Sequence, residues 1–251
     1  MRALFFEFPQ EPDLLAVDRQ FMLGSDILVT PVLMPNVTSV SGEPISLAYM
    51  STFPSKINLF PFVRETGFLP GREQVIWRDW YSHAIVSPKN PPSNGGNGSN
   101  TVVVDLDAPL GHIPVLVRSG AALLLHSQPG YTTRASAALP YALLVSLSGN
   151  GNAYGTALVD DGESDSTQSR TLVFDAHDKT MKITTSGEDV FVIAQRLGVI
   201  TILGIERAPK RVRLDGTVIS TRKWVFDSAV QRLVVSGLSI DLNARCTISW
   251  G

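Results

Sequence analysis

Residues 211–220 read RVRLDGTVIS and contain the clearest folding signal in the chain. Residues 212–214 alternate between apolar and polar side chains, which is the period of a strand with one buried face. Asp215 and Gly216 follow, and this pair favours a type I′ turn because both of its central residues need positive φ. The stretch therefore predicts an antiparallel β-hairpin.

The same pattern recurs along most of the chain. Clean alternation appears again at residues 181–184 and 238–242, and Gly (20) and Pro (16) supply abundant turn material in 251 residues. Many short candidate strands separated by turns favour β-sandwiches. We therefore predict an all-β fold, with candidate strands at residues 27–32, 74–81, 101–106, 113–117 and 121–125 in the first half.

The first residues differ from the rest. The apolar run at residues 3–8, ended by Pro9, predicts a strand buried on both faces, as in a parallel sheet. Residues 12–22 suit a short helical segment that Gly24 ends. No series of strand–helix–strand units follows, so the predicted strand has no parallel neighbours.

Charge and residue types exclude several classes of protein. A net charge of −2 without a basic run argues against nucleic acid and membrane surfaces as partners, and no apolar run is long enough to span a bilayer. The single Cys246 excludes an intramolecular disulfide and any zinc site with several Cys ligands. No local metal-ligand spacing occurs among the four histidines, His83, His112, His126 and His177. The N-terminus has no usable secretion signal.

Several acidic residues allow more than one interpretation. Asp160 and Asp161, in the sequence DDGE, suit acid–base chemistry or Ca²⁺ binding, but also a simple turn, which we favour. Asp105 and Asp107 would share one side of a strand end, most simply a solvated one. We interpret His112 as a hydrogen-bonded structural histidine rather than a catalytic base.

Two further features concern carbohydrate. Trp77, Trp80 and Tyr81 suit either a sugar-stacking platform or, more simply, core packing. Asn36 and Asn97 lie in N-x-S/T sequons and are possible N-glycosylation sites. Glycans at these positions would place the parent protein in the secretory or vacuolar pathway, or outside the cell.

Three stretches together resemble the C-terminal portion of glycoside hydrolase family 31, the α-glucosidases. They are RALFFEFPQEP…VDRQFMLGSDILVTPVLMP (residues 2–35), VIWRDWYSHAIV with DAPLGHIPVLVRSGAALLLHSQPGYTT (75–86 and 107–133), and ALLVSLSGNGNAYGTALVDDGES (142–164). The resemblance implies that residues 1–25 are a remnant of the last strand of a (β/α)₈ barrel and the segment that follows it. It further implies two consecutive antiparallel β-sandwich domains, a proximal one at 26–126 and a distal one at 130–251.

The resemblance also implies what the chain lacks. Enzymes of this family use two Asp residues in a retaining mechanism, with no cofactor. Their nucleophile stands in a W-x-D-M-N-E-type motif, and here no Asp precedes any of the five methionines. The family's acid/base Asp belongs upstream of these stretches. We therefore assign no catalytic, cofactor or metal residue, and expect an inactive fragment whose parent hydrolyses terminal α-glucosidic bonds.

Residues 43–66 depart from the family's pattern. The family would pass almost directly from a segment like VTSV to one like GFLPGREQVIWRDWY, but a Phe- and Pro-rich insert intervenes. It is either unspliced non-coding sequence in a mispredicted gene or a lineage-specific loop.

The resemblance leaves open whether the chain acts with a partner or binds carbohydrate by itself. Its partner would be the upstream catalytic barrel of the same parent or a processed subunit, and α-glucosidic oligosaccharide would be bound only through the parent. The alternative is a free-standing carbohydrate-binding β-sandwich module that uses Trp77 and Trp80.

Overall fold

The computed structural model describes residues 1–33, 39–40, 67–71, 74–87, 102–108, 112–162, 168–187 and 191–251. The chain forms two compact units, Met1–Arg118 and Ser119–Gly251. Among the helices and strands of the described residues, strands outnumber helices in both units, and the α-helices are short. The predicted all-β class is confirmed.

The first residues form a helix, so the prediction of a strand at residues 3–8 is wrong. Helix α1 (Leu4–Glu7) is followed by a 3₁₀ turn, Pro12–Ala16. The backbone N–H of Phe8 donates to the carbonyl of Leu4 at 3.0 Å. Leu4 and Phe8 are therefore on one side and buried, whereas Phe6 is 67% exposed. Helical spacing explains this burial, and the apolar run alone does not reveal it.

The described residues of the first unit form three small antiparallel sheets. The largest has the order β1-β2-β8-β5, formed by β1 (Phe21–Leu23), β2 (Ile27–Val29), β5 (Trp77–Asp79) and β8 (Val115–Arg118). Two strand pairs accompany it: β3 (Ser39–Val40) with β7 (Leu106–Asp107), and β4 (Gly67–Leu69) with β6 (Val102–Val104). Leu4, Leu14, Leu28, Trp77 and Leu116 belong to their common core.

Residues 121–126 belong to the second unit. The predicted first sandwich extends to residue 126, whereas β9 (Ala121–His126) pairs antiparallel with β10 (Tyr141–Ser146) along its full length. The change from one unit to the other therefore occurs between Arg118 and Ser119, before β9.

The second unit is one long sheet folded around a single core. Besides β9 and β10, its described strands are β11 (Ala153–Val159), β12 (Arg170–His177), β13 (Thr180–Ser186), β14 (Arg196–Leu203), β15 (Val212–Leu214), β16 (Thr217–Val218), β17 (Trp224–Asp227), β18 (Arg232–Val235), β19 (Ile240–Asp241) and β20 (Cys246–Trp250). Their order in the sheet is β16-β15-β20-β13-β12-β11-β9-β10-β14-β18-β17, with β19 paired to β14. Leu233 and Ile248 lie on strands far apart in this order, yet both belong to the same buried cluster, which is the arrangement of a sandwich.

Two pairings in the described part of this sheet are parallel, β10 with β14 and, at Tyr154 and Ala121, β11 with β9. β10 and β14 run in the same direction, with Leu143 opposite Ile200. Four consecutive residues of β10, from Leu143 to Ser146, are buried, as expected for a strand covered on both faces. The antiparallel arrangement predicted from sequence holds for most of the other pairs.

The hairpin predicted at residues 211–220 is confirmed. β15 pairs antiparallel with β16, and Asp215 and Gly216 have φ of 47° and 81°. These positive angles at both central positions are those of a type I′ turn. The carboxylate of Asp215 also accepts a hydrogen bond from the backbone N–H of Thr247 at 2.8 Å.

One further helix, α2 (Thr133–Ala137), lies between β9 and β10. In the described part of the chain, every helix is too short or too polar to cross a lipid bilayer.

Candidate functional site

The aromatic residues near β5 divide between core and surface. Trp77 is only 1% exposed, its indole N–H donates to the carbonyl of Pro70 at 2.7 Å, and its ring lies 6.4 Å from that of Phe8. Trp77 is therefore a core residue, as the simpler interpretation of the sequence predicted, and it cannot stack on a sugar, whereas Trp80 is only partly buried. Tyr81, in contrast, is 53% exposed.

A tight turn after β5 presents Tyr81 to solvent. One carboxylate oxygen of Asp79, Oδ1, accepts from the backbone N–H of Tyr81 at 3.1 Å, and from the N–H and the hydroxyl of Ser82 at 2.7 Å each. The backbone closes the turn, since the N–H of His83 donates to the carbonyl of Asp79 at 2.9 Å. An Asp that caps the backbone two and three residues ahead is a recognised turn device. The sequence DWYS (residues 79–82) carries this signal, but the turn was not predicted from it.

His83 occupies an unusual backbone conformation in this turn. Its φ is 63°, a left-handed value that glycine adopts without a steric cost. The guanidinium of Arg78 donates to the carbonyl of His83 at 3.3 Å. Arg78 is fully buried, and this burial lowers the pKa of its guanidinium.

A cleft of about 370 Å³ opens beside the turn and brings together residues from separate segments. Its lining includes Asp79, Asp105, Asp107 and His112. Asp105 and Asp107 are predicted from the sequence to share a solvated face; both line this cleft, and Asp107 is exposed. The imidazole of His112 packs against the ring of Tyr81, with 4.3 Å between the ring centroids.

The carboxylate with a raised pKa lies elsewhere in the first unit. Burial raises the pKa of Asp26, against the opposing effects of the Ser25 hydrogen bond and the nearby Arg118 guanidinium. That guanidinium also lies 4.7 Å from the centroid of the Phe8 ring. Asp26 is not part of the cleft lining, so its pKa does not bear on the chemistry of the cleft.

The remaining site residues of the sequence analysis have simpler roles or lie outside the described ranges. Asp160 accepts a hydrogen bond from the backbone N–H of Gly162 at 2.9 Å, which is the geometry of a turn. Asn36, Asn97 and residues 43–66 fall outside the described residues. Across the described ranges, no three His, Cys, Asp or Glu side chains group closely enough to hold a metal ion.

The chain is similar to fungal enzymes over nearly its whole length. It is 37% identical to an α-glucosidase of Aspergillus niger over 238 residues, which cover 95% of this chain and 20% of that protein. It is 34% identical to an α-glucosidase of Schizosaccharomyces pombe over 253 residues, which cover 100% of this chain and 22% of that protein. The sequence model of the "Glycosyl hydrolase family 31 C-terminal domain" matches residues 1–44.

The chain is similar to the C-terminal portion of glycoside hydrolase family 31 and spans about a fifth of the length of these two relatives. The fold agrees, because the chain superimposes on the glucosidase II alpha subunit with a TM-score of 0.71 at 21% sequence identity. That superposition covers 100% of this chain and 25% of the glucosidase II subunit. The resemblance found in the sequence to family 31 is therefore confirmed.

Proposed function

We propose that this chain is the non-catalytic C-terminal portion of an α-glucosidase whose whole protein hydrolyses terminal α-glucosidic bonds with retention. The observation that carries the proposal is the similarity to two fungal α-glucosidases along 95% and 100% of the chain. A retaining enzyme of this kind needs two carboxyl groups about 5–5.5 Å apart, one as nucleophile and one as acid/base. The family's motif for the nucleophile does not occur in the sequence.

We assign no substitute for that pair to the carboxylates that line the cleft. Oδ1 of Asp79 already accepts three hydrogen bonds from its own turn, so this oxygen holds the turn after β5. We therefore expect no hydrolysis by the chain alone.

The N-terminal surface of the first unit supports a role in packing against the rest of the parent. Phe5 and Phe6 stack on each other with 4.6 Å between ring centroids, and Phe6 is largely exposed. Met1 and Leu15 are also exposed on this N-terminal segment. Exposed apolar side chains on one segment are typical of a surface that another part of the protein covers. We propose the upstream catalytic barrel, in the same chain or as a processed subunit, as that partner.

We propose that the parent enters the secretory pathway. The support is the pair of sequons at Asn36 and Asn97, which would carry N-linked glycans there.

A chimeric enzyme tests the proposed function. This chain replaces the corresponding 238-residue portion of the Aspergillus niger α-glucosidase. Three proteins are assayed on an aryl α-glucoside: the chimera, the same enzyme truncated before that portion, and this chain alone. We expect activity from the chimera only. A folded chimera without activity, or turnover by the purified chain alone, would contradict the proposal.

A further inference from the structure

We propose that the cleft beside Tyr81 is a binding site for a neutral oligosaccharide of glucose units. We call it the Tyr81 cleft, lined by Asp79, Asp105, Asp107 and His112, with Tyr81 packed against His112. The choice of glucose units rests on the proposed function. The site itself combines exposed apolar side chains beside the cleft, acceptor groups in its lining and a rigid turn.

Exposed apolar and aromatic side chains lie next to the lining of the cleft, since Tyr81 packs against His112, which lines it. Tyr81 is half exposed, and its hydroxyl donates to the carbonyl of Ile113 at 3.4 Å. Ile113 and Ile85 are also exposed, and Ile85 lines the cleft. Flat aromatic and branched aliphatic side chains suit the C–H face of a pyranose ring, because that face is apolar while the hydroxyls lie around its edge.

The interior of the cleft carries hydrogen-bond acceptors. Asp105 and Asp107, from the β6–β7 segment, contribute two carboxylates to the lining. Carboxylates accept strong hydrogen bonds from hydroxyl groups. Their shared negative charge disfavours phosphorylated or acidic ligands, so the lining selects a neutral ligand that is rich in hydroxyl donors.

A metal ion fits the cleft less well than a sugar. Within the residues described, no set of three carboxylate or imidazole groups converges to metal-binding distance, in this cleft or elsewhere. The carboxylate of Asp79 is also oriented towards its own turn by three hydrogen bonds.

The ring of Tyr81 is held in place before any ligand binds. The turn is fixed through Asp79 at one end, and the Tyr81 side chain is fixed through His112 and Ile113 at the other. A ring that is already ordered loses little conformational entropy on stacking, and this favours binding. An exposed tyrosine without such contacts, such as Tyr131, would have to be ordered first.

Calorimetric titration of this chain with maltotriose tests the proposal. We expect saturable binding in the millimolar range or tighter. Tyr81→Ala should weaken it about tenfold, which corresponds to the stacking energy of one ring. Asp107→Asn should also weaken binding, because a charged acceptor becomes a neutral amide. Tyr81→Phe keeps the ring and should bind almost normally, and Tyr131→Ala is the matched control that should bind as the unaltered chain does.

Three results would overturn the inference. The first is the absence of saturable maltotriose binding. The second is binding that Tyr81→Ala and Asp107→Asn leave unchanged, while both variants keep the native circular dichroism spectrum. The third is calcium binding in the cleft that excludes the sugar. Each would leave the α-glucosidase proposal intact, because the chimera tests that proposal by activity. An inactive chimera would in turn leave the binding measurement unaffected.

Discussion

The side chain of Gln20 pairs with the backbone of Phe68 as a neighbouring strand would. Its Oε1 accepts from the N–H of Phe68 at 2.8 Å, and its Nε2 donates to the carbonyl of the same residue at 3.2 Å. Nε2 also donates to the hydroxyl of Thr30 at 2.8 Å. Close by in sequence, Glu11 accepts from the N–H of Gly71 at 2.7 Å. Two buried polar side chains therefore fix β4 to the N-terminal segment.

Replacing Gln20 with Ala should loosen this attachment. The N–H and carbonyl of Phe68 would lose their partner in a partly buried position, which costs about 2 kcal/mol. Hydrogen exchange of the Phe68 amide should then be about 30-fold faster in the native protein. Gln10→Ala, at an exposed glutamine, is the control and should leave this amide unchanged. Equal protection in both variants would show that the Gln20 contacts do not stabilise β4.

Gly155 is required where β11 passes close to β9. A Cβ at this position would lie 1.9 Å from the carbonyl oxygen of Ala122, which is a backbone atom and cannot turn aside. We expect Gly155→Ala to cost about 3 kcal/mol and to lower the melting temperature by roughly 10 °C. At Gly149 an added Cβ meets nothing within 4 Å, so Gly149→Ala should change stability by less than about 0.5 kcal/mol. Equal melting temperatures for the two variants would contradict this account.

His83→Gly should stabilise the turn that presents Tyr81. The left-handed φ of 63° costs a non-glycine residue about 1 kcal/mol, and glycine removes that cost. The same replacement at the next residue, Ala84→Gly, should instead lower stability by about 0.5–1 kcal/mol through backbone entropy. Urea unfolding of the two variants measures both effects. A loss of stability in His83→Gly would mean that contacts of the imidazole outweigh the backbone strain.

Local signals in the sequence predicted local structure well. The hairpin around Asp215 and Gly216 depends on two adjacent residues and a period of two, so it could be predicted before any fold was known. The helix at Leu4–Glu7 could not, because its apolar run fits both a strand buried on both faces and a helix with one buried side. Burial of Leu4 and Phe8, and not of Phe6, settles the choice only in the folded unit.

Contacts between distant segments were the part that sequence could not predict. The parallel pairing of β10 with β14 joins strands separated by three others in the chain. The Tyr81 cleft likewise needs a turn near residue 80, the β6–β7 segment and His112 to meet. Tyr81, Asp105, Asp107 and His112 were each noted in the sequence, but only the fold of the first unit shows that they lie at one cleft.

Cys246 should make the protein sensitive to alkaline pH. The thiol is buried in β20, and this burial, reinforced by the Asp215 carboxylate, raises its pKa from 9.0 to about 12. Between these values the unfolded chain releases the proton and the native chain keeps it, so this contribution to stability is complete below pH 9 and is lost as the pH rises towards 12. Burial also raises the pKa of Tyr141, whose ordinary value is 10.0, and this adds to the same loss at higher pH.

Unfolding measured across the alkaline range should separate the two groups. Cys246→Ala should remove the part of the decline that begins near pH 9, and Tyr141→Phe the part that begins near pH 10. At pH 8 the thiolate fraction implied by these pKa values is about a thousandfold lower in the native chain than in the unfolded one, so a thiol reagent should label Cys246 only after unfolding. Rapid labelling of the native protein at pH 8 would contradict this, because the thiol would then have to be both accessible and readily ionised.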